Sequence, residues 1–277
     1  MRWYRSDLEG LNYCFWVFKQ NVRIGGIIIR PNHIEGLFLQ PPHSDPFEVL
    51  QAVMPLLRSW SDVNKPIEAA DVMMSEVAYY ERLGFRINRG RRVYVRPTQP
   101  FSIQWPVEYQ TRLPTRNDVQ EVAELFYASF RNYPQGWHLG AYGPQDWQEF
   151  TEEALLPADM TDLCRQASLL IRDKARNLLI GACLANLLQS VTRPENQYAN
   201  IAMMGVLPEY RQKGLATRMV QHTLSVFHGH YPLLKFGVAA GSTAEAFYYN
   251  LGFLPGPVHY VLLSPPTVER ANSSSER

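Results

Sequence analysis

A short run of residues combines positive charge with small side chains, as a phosphate-binding turn requires. It consists of Arg211, Gln212, Lys213, Gly214, Leu215, Ala216 and Thr217, and is called the cradle below. An apolar segment ending at Val206 precedes the cradle and a helix-periodic stretch follows it, so its main-chain N–H groups would lie at the positive end of a helix dipole. Gly214 has no Cβ and would let a phosphate approach the main chain closely. The simpler alternative is a basic loop that leads into an ordinary amphipathic helix.

The overall charge indicates that any anion site must be local. The 277 residues carry a formal net charge of +1, with 46% apolar and 19% charged residues. This composition is typical of a folded protein that is long enough for one large domain or two moderate ones. Because so small a net charge creates no general field, we expect no nucleic-acid or membrane partner and favour a small charged ligand.

The cysteine pattern favours a reducing compartment. Cys14, Cys164 and Cys183 are odd in number and have neither Cys-x-x-Cys spacing nor a neighbouring histidine cluster. We therefore expect no disulfide framework and no metal site. The N-terminus has no apolar core like that of a secretory signal, and the longest apolar stretch, residues 178–188, is too short to span a bilayer. These features predict a cytoplasmic protein.

Several landmarks occur twice in the same order and indicate an internal duplication. The clearest pair is Tyr-Tyr-Glu-Arg-Leu-Gly-Phe at residues 79–85 and Phe-Tyr-Tyr-Asn-Leu-Gly-Phe at residues 247–253. In both, a helical stretch ends at a glycine suited to a left-handed C-cap, and an aromatic residue begins the next strand. Upstream, the apolar segments at residues 23–29 and 177–183 correspond to each other. Between these landmarks each copy holds a strand, a proline-containing loop and a helix.

The duplication predicts two α+β domains of unequal size. The proline-rich stretch at residues 97–106 interrupts the periodicity as a linker would. We therefore predict a first domain of residues 1–100, a second domain of residues 101–265 and a flexible tail of residues 266–277. The second copy has an additional front end, which contains an extended segment, a capped helix from about Thr115 and a further helix.

From Val107 to Leu263 the chain resembles the GNAT superfamily of N-acetyltransferases. The acetyl-CoA signature of that family is Arg or Gln, two residues, Gly, one residue, then Gly or Ala, and it matches residues 211–216. The Val-Leu-Pro at residues 206–208 and the Leu-Gly-Phe at residues 251–253 are also typical of the family. The first domain resembles a degenerate copy. The resemblance thus implies two GNAT-like domains, each with a mixed, mostly antiparallel twisted sheet flanked by helices.

The resemblance also implies how the second domain would bind acetyl-CoA as its acyl donor. The pyrophosphate would be bound by the cradle, with cofactor contacts from Arg211, Gln212, Lys213, Gly214, Leu215, Ala216 and Thr217. The strand before the cradle would splay from its neighbour at residues 236–239, so that its free main-chain groups could hydrogen-bond the pantetheine arm. The strand residues expected there are Met204, Gly205 and Val206.

Tyr248 is the candidate catalytic residue that the resemblance supplies. Acetyl transfer to an amine needs a neutral nucleophile and a proton donor for the departing thiolate, and the family places a tyrosine here as that donor. Tyr248 could instead be a packing aromatic of its helix. Many relatives carry a carboxylate base on the central strand, but residues 198–204 contain none, and Glu209 just beyond more often supports the turn. A water chain, or an amine that arrives partly neutral, would remove the need for a base.

The acceptor amine would lie beside residues 131–142, a loop rich in aromatic residues and glycine. Its aromatic side chains and His138 could form a wall around an amine. They could equally anchor a lid or pack against the first domain.

In the first domain the cradle is lost. Asp45 places a negative charge where a phosphate would lie, Pro46 removes an amide donor and Phe47 fills the space left by glycine. Tyr80 keeps the place of Tyr248 but is expected to be structural. We expect this domain to brace the active one; the alternative is a regulatory ligand in the old cleft.

Two functions stay open at this point. The first is an acetyl-CoA-dependent N-acetyltransferase that transfers acetyl directly to a primary amine of a small molecule or peptide. The second is a non-catalytic acyl-CoA-binding or sensor protein, which the missing strand carboxylate favours.

Overall fold

A computed structural model describes residues 1–5, 13–43, 45–132, 140, 142–155, 161–189 and 197–266. The chain forms two compact units, one of Met1–Arg92 with Pro257–Arg277 and one of Val93–Gly256. The boundaries of these units differ from those of the predicted domains. The first unit ends at Arg92, before residue 100, and it also includes the residues from Pro257 onward.

The first unit is built on a mixed sheet. Its elements are β1 (Arg2–Arg5), β2 (Cys14–Lys19), β3 (Val22–Arg30), β4 (His33–Leu39), α1 (Pro46–Trp60), β5 (Ile67–Met73) and α2 (Met74–Glu81), and β6 (Arg86–Pro97) begins here. The strand order is β1-β2-β3-β4-β5 followed by β12 (Leu254–Ser264). Only β4 and β5 pair in parallel; the other described neighbours are antiparallel.

The pairing of β12 with β5 explains why the residues from Pro257 onward belong to the first unit. His259 to Ser264 run antiparallel to β5, with Leu263 opposite Glu68, and Leu262 is fully buried in the core of this unit. The sequence pattern places this strand at the end of the second copy. Which sheet edge accepts a strand depends on tertiary pairing, and a periodicity pattern does not encode that choice.

The second unit carries the cradle. Its elements after β6 are β7 (Tyr109–Arg112), a 3-10 turn (Arg116–Asp118), α3 (Val119–Phe130), α4 (Pro144–Leu155), α5 (Asp162–Ala167), β8 (Leu169–Asp173), β9 (Leu178–Gln189), β10 (Gln197–Val206), a 3-10 turn (Pro208–Tyr210), α6 (Leu215–Phe227), β11 (Leu233–Ala239) and α7 (Thr243–Asn250). The strand order is β6-β11-β10-β9-β8-β7, with β10 and β11 parallel. Both units confirm the predicted α+β class with mixed, mostly antiparallel sheets and flanking helices.

Helix α3 is held at its start by Asp118. The carboxylate accepts hydrogen bonds from the Thr115 N–H (2.7 Å), the Thr115 hydroxyl (2.8 Å) and the Arg112 guanidinium (2.8 Å). The hydrogen bond from Arg112 is the main cause that lowers the pKa of Asp118 to about 2. These bonds form a capping box around the 3-10 turn that leads directly into α3.

Close packing of α3 on β10 requires a glycine. A Cβ on Gly205 would lie 2.9 Å from Phe126 Cδ1, which is shorter than van der Waals contact. On its other side α3 packs against α4, where the Trp147 ring is fully buried and stacks on Phe130 with 5.3 Å between ring centroids. The unit's core therefore continues from the sheet through both helices.

The repeated Leu-Gly-Phe element has the same geometry in both units. In the first, the N–H groups of Leu83 and Phe85 both donate to Tyr80 O, and Gly84 has φ +93°. In the second, the N–H groups of residues 251 and 253 both donate to Tyr248 O, and residue 252 has φ +78°. Because hydrogen bonds and the left-handed glycine coincide, the two helix ends are one structural motif used twice.

Among the described residues, no helix is both long and apolar enough to cross a membrane. Within the same ranges no group of three His, Cys, Asp or Glu side chains is placed to hold a metal ion. Cys14, Cys164 and Cys183 are free thiols.

Candidate active site

The cradle is a turn with two residues in the left-handed region. After β10 the main chain passes through Gln212 at φ +61° and Gly214 at φ +73°, and α6 starts at Leu215. Glycine is needed at position 214, because other residues rarely adopt this φ and a Cβ there would lie 2.5 Å from Arg218 Nη1. Gln212 is a non-glycine residue in the same region, a kind of backbone strain that concentrates at ligand sites.

The N–H groups of the cradle point to no acceptor among the described residues. From Gln212 to Thr217, none donates a hydrogen bond to any residue in the described part of the chain. The first bond of α6 runs from the Arg218 N–H to Gly214 O at 3.2 Å, and in the described part of the chain no side chain caps the helix. A run of unpaired N–H groups at a helix start is an anion-binding arrangement.

The corresponding turn of the first unit is closed by its own side chains. Asp45 caps α1 by accepting a hydrogen bond from the Phe47 N–H at 3.0 Å, and Pro46 contributes no N–H. The Arg82 guanidinium lies 3.5 Å from the centre of the Phe47 ring. Tyr80 is buried, and this burial raises its pKa, as expected of a structural tyrosine. The N-terminus of α1 thus pairs with the carboxylate of Asp45, which takes the place that a bound anion would have.

Next to the cradle, β10 separates from β11. With β9, β10 pairs along its whole length to Val206, which lies opposite Gly181. With β11, the register covers only Ala199 opposite Leu234 and Asn200 opposite Lys235, and among the described residues the ladder goes no further. Residues 201–206 therefore have one edge without a neighbouring strand, and this gap is called the opening below. The splay predicted between Val206 and residues 236–239 is present.

Tyr248 lies on α7, whose neighbour β11 forms the far side of the opening. Its ring is 8% exposed and packs against Phe236 (centroids 4.4 Å apart), Phe247 (4.9 Å) and Phe253 (5.8 Å). Tyr94 also contacts it at 6.2 Å. The Tyr248 ring packs in the core, which is one of the two roles considered from the sequence. Proton donation by its hydroxyl stays a prediction.

Residues 163–255 match the family model described as the acetyltransferase (GNAT) domain. The matched residues all lie in the second unit, which is called the GNAT domain below after this similarity. The match includes the whole cradle, β10, β11 and Tyr248. Among curated proteins, none matches the sequence significantly.

Solved structures show that the GNAT fold extends beyond this match. A GCN5-related N-acetyltransferase from Sphaerobacter thermophilus is 15% identical, with 92% of this chain and 82% of that chain covered and a TM-score of 0.65. A tandem GNAT protein from the clavulanic acid biosynthesis pathway is 13% identical, covering 91% and 82%, with a TM-score of 0.58. A GNAT-family acetyltransferase from Colwellia psychrerythraea is 13% identical, covering 90% and 84%, with a TM-score of 0.55. At these identities the similarity shows a shared fold, and it covers residues of both units.

In the GNAT domain, Arg211 holds the end of β10. Its Nε donates to Val206 O at 3.1 Å and its Nη2 donates to Ser129 O at 2.6 Å. The guanidinium thereby ties the last turn of α3 to the strand beside the opening. The structure shows that Arg211 clamps two main-chain carbonyls together, and the cofactor contact predicted for it stays a prediction.

The turn before the cradle is anchored through Tyr210. Its hydroxyl donates to Asp173 Oδ2 at 2.8 Å and accepts from Arg176 at 3.2 Å, and the Tyr210 hydrogen bond is the main cause that lowers the pKa of Asp173. The Lys213 ammonium lies 4.8 Å from the centre of the Tyr210 ring. Glu209, the alternative base, is exposed in the same turn. These contacts hold the turn to β8 and its following loop.

Asn200 marks the point where the opening begins, and sequence reasoning missed it. It is 4% exposed, and in the amide orientation that suits its neighbours it donates to Lys235 O at 2.8 Å and accepts from the Ala202 N–H at 3.3 Å. The Ala202 N–H is released from the ladder by a β-bulge between residues 201 and 203. An asparagine in an otherwise apolar central strand was the signal that could have revealed it.

The proposed acceptor loop lies largely outside the described residues. His138, with residues 133–137, 139 and 141, is not described. Of the loop's aromatic residues, Tyr142 is described, and its ring packs edge-on against Trp147 with centroids 5.4 Å apart.

We expect Arg211→Met to lower the free energy of unfolding by about 1–2 kcal/mol, because two carbonyl groups lose a charged donor at a partly exposed site. Thermal unfolding of the purified variant measures this. Lys213→Met is the matched control, since Lys213 donates no hydrogen bond within the described structure and loses only an exposed cation–π contact with Tyr210, so it should lower the melting temperature much less than Arg211→Met does. Equal melting temperatures for both variants would contradict the clamp.

Proposed function

We propose that the GNAT domain transfers an acetyl group from acetyl-CoA to a primary amine of a small molecule or peptide. The supporting observation is the cradle of unpaired N–H groups beside an opening in the sheet. Within the described ranges of the domain no side chain bonds these groups, whereas in the first unit Asp45 bonds the corresponding N–H group of Phe47. The cradle would take the pyrophosphate, and the anionic ligand would complete the N-terminus of α6.

The opening suits the remainder of the coenzyme. An extended chain with amide groups can add to the free edge of a strand as another strand would, through main-chain hydrogen bonds. Met204, Gly205 and Val206 lie on this edge of β10, directly before the cradle. A pyrophosphate in the cradle and a pantetheine arm along β10 would place the thioester beside the opening.

Direct transfer needs one bond made and one bond broken. The amine nitrogen attacks the thioester carbonyl carbon, a C–N bond forms, the C–S bond breaks and the thiolate takes a proton. Tyr248 is the proposed donor of that proton, and the amine gives up its own proton to water. A carboxylate on the central strand has no place in this scheme, because Gln197–Val206 contain no Asp, Glu or His.

Release of coenzyme A thiol from acetyl-CoA, measured with a panel of small amines and of peptides with free N-termini, tests this function. Turnover with at least one amine is expected, at a rate that depends on that amine. Tight acetyl-CoA binding without turnover across the panel would exclude the transferase. Absence of binding would exclude both this function and the alternative below.

The alternative is a non-catalytic acyl-CoA-binding or sensor protein. The specific observation that favours it is the lack of an ionisable side chain on β10, together with the packed ring of Tyr248. A sensor would bind acetyl-CoA and coenzyme A through the same cradle. The thiol-release assay separates the two functions, since only the transferase consumes acetyl-CoA.

Tyr248→Phe tests the proposed proton donor. We expect kcat to fall about 10²- to 10⁴-fold with little change in KM, because a general acid acts in the transition state. The ring remains, so the packing on Phe236 and Phe253 should persist. Tyr80→Phe removes the corresponding hydroxyl in the first unit and should leave kcat unchanged. Wild-type turnover by Tyr248→Phe would remove Tyr248 as the acid.

A further inference from the structure

One buried hydroxyl beside the opening has no partner among the residues that the structure describes. Ser129, on the last turn of α3, is 5% exposed, and its Oγ makes no hydrogen bond within the described structure. An unsatisfied buried hydroxyl is costly, so it is rare in a folded protein unless water or a ligand completes it.

Ser129 also differs from comparable residues of this chain. The usual solution for a helical hydroxyl is a bond to the carbonyl three or four residues earlier. That bond is made, at 2.7 to 3.2 Å, by Ser59, Ser61, Thr151, Thr223 and Ser225. The Ser129 hydroxyl does not donate this hydrogen bond to the carbonyl of Leu125. It is therefore turned away from its own helix.

The Ser129 hydroxyl lies over β10 at the level of the opening. It is 3.4 Å from the position that a Cβ on Gly205 would take. The main chain around it is fixed, because Arg211 bridges Ser129 O and Val206 O. The hydroxyl is thus a polar group of fixed main-chain position on the face of β10 at Gly205, one of the strand residues that line the opening.

We propose that the Ser129 hydroxyl donates a hydrogen bond to a carbonyl oxygen of the acyl-pantetheine arm bound in the opening. This inference rests on the proposed function. Thioester and amide carbonyls are acceptors, whereas the unpaired hydroxyl supplies a donor. Ser129 is therefore a binding residue for the acyl donor, separate from the cradle that binds the phosphates.

Ser129→Ala tests this role with two readouts. Because the hydroxyl has no partner in the free protein, the variant should melt at the wild-type temperature or above it. Calorimetry should show acetyl-CoA binding about 3- to 10-fold weaker, the loss of one neutral hydrogen bond. Adenosine 3′,5′-bisphosphate, which has no pantetheine arm, should bind equally to both proteins. Ser59→Ala is the matched control, and it should bind acetyl-CoA as the wild type does.

The outcomes separate this role from the proposed function. If the wild-type protein fails to bind acetyl-CoA, both are overturned. If it binds and Ser129→Ala binds equally well, or melts well below the wild type, the hydroxyl is not a ligand contact and the proposed function is untouched. Weakening that is equal for acetyl-CoA and the bisphosphate would also overturn the role of Ser129, since it would report a distorted cradle. Weakening with acetyl-CoA but not with free coenzyme A assigns the contact to the thioester; weakening with both assigns it to a pantetheine amide.

Discussion

Gly214→Glu weakens acetyl-CoA binding by an expected factor of at least about 100. Three effects of this substitution each weaken acetyl-CoA binding. The left-handed φ of +73° disfavours any side chain, a Cβ would lie 2.5 Å from Arg218 Nη1, and the new carboxylate repels a phosphate at the start of α6. The Arg218 guanidinium cannot move freely, because it donates to Gln104 O at 2.9 Å and to Gly214 O at 3.2 Å.

Gly229→Glu is the matched control for this experiment. Gly229 lies in the same unit, just after α6, and has φ +84°, but a Cβ there would meet no atom within 4 Å. It carries the same charge change and a comparable backbone strain away from the cradle. Titration calorimetry with acetyl-CoA should show wild-type affinity for Gly229→Glu and none measurable for Gly214→Glu. Undiminished binding by Gly214→Glu would refute the position of the phosphate site.

Trp147→Ala has the largest expected effect on stability, about 3–5 kcal/mol in the free energy of unfolding of the second unit. The Trp147 ring is fully buried and lies against Phe126 and Phe130, with centroids 5.6 and 5.3 Å away. Its removal leaves a large cavity between α3 and α4. For a domain of this size the melting temperature should fall by about 10 °C.

Differential scanning calorimetry measures this loss of stability, and two further variants serve as controls. Trp60→Ala removes a tryptophan that is 41% exposed, and it should change the melting temperature little. Trp147→Phe keeps a ring but removes the indole N–H, which has no partner within the described structure, so it should cost much less than Trp147→Ala. A melting temperature for Trp147→Ala within about 2 °C of the wild type would contradict the importance of this packing.

Structural elements were predicted correctly where the residues that determine them lie close together along the chain. The helix predicted after the proline-containing loop of the first copy is α1 (Pro46–Trp60), and the further helix predicted in the front end of the second copy is α4 (Pro144–Leu155). Caps, prolines and apolar spacing act within a few residues of each other, so they can be read directly. The GNAT resemblance and the α+β class were confirmed for the same reason, since both rest on the order of such elements.

The site was predictable only in part. Gly214 could be recognised because glycine at a turn before a helix has a local conformational meaning, and the loss of the cradle at Asp45 and Pro46 follows from the chemistry of those residues. Asn200 and Ser129 could not be recognised as site residues, because their roles depend on which main-chain groups approach them from other elements.

The amino-acid sequence is sufficient to specify the α+β elements, the duplicated helix end, and the turn that can receive a phosphate in one copy and not in the other. Tertiary structure alone decided that β12 pairs with β5, that Arg211 ties α3 to β10, and that β10 separates from β11 after Asn200. The physical reason is the range of the interactions. Backbone conformation and capping depend on neighbours along the chain, whereas strand pairing and carbonyl clamps depend on segments that are distant in sequence and meet only in the folded protein.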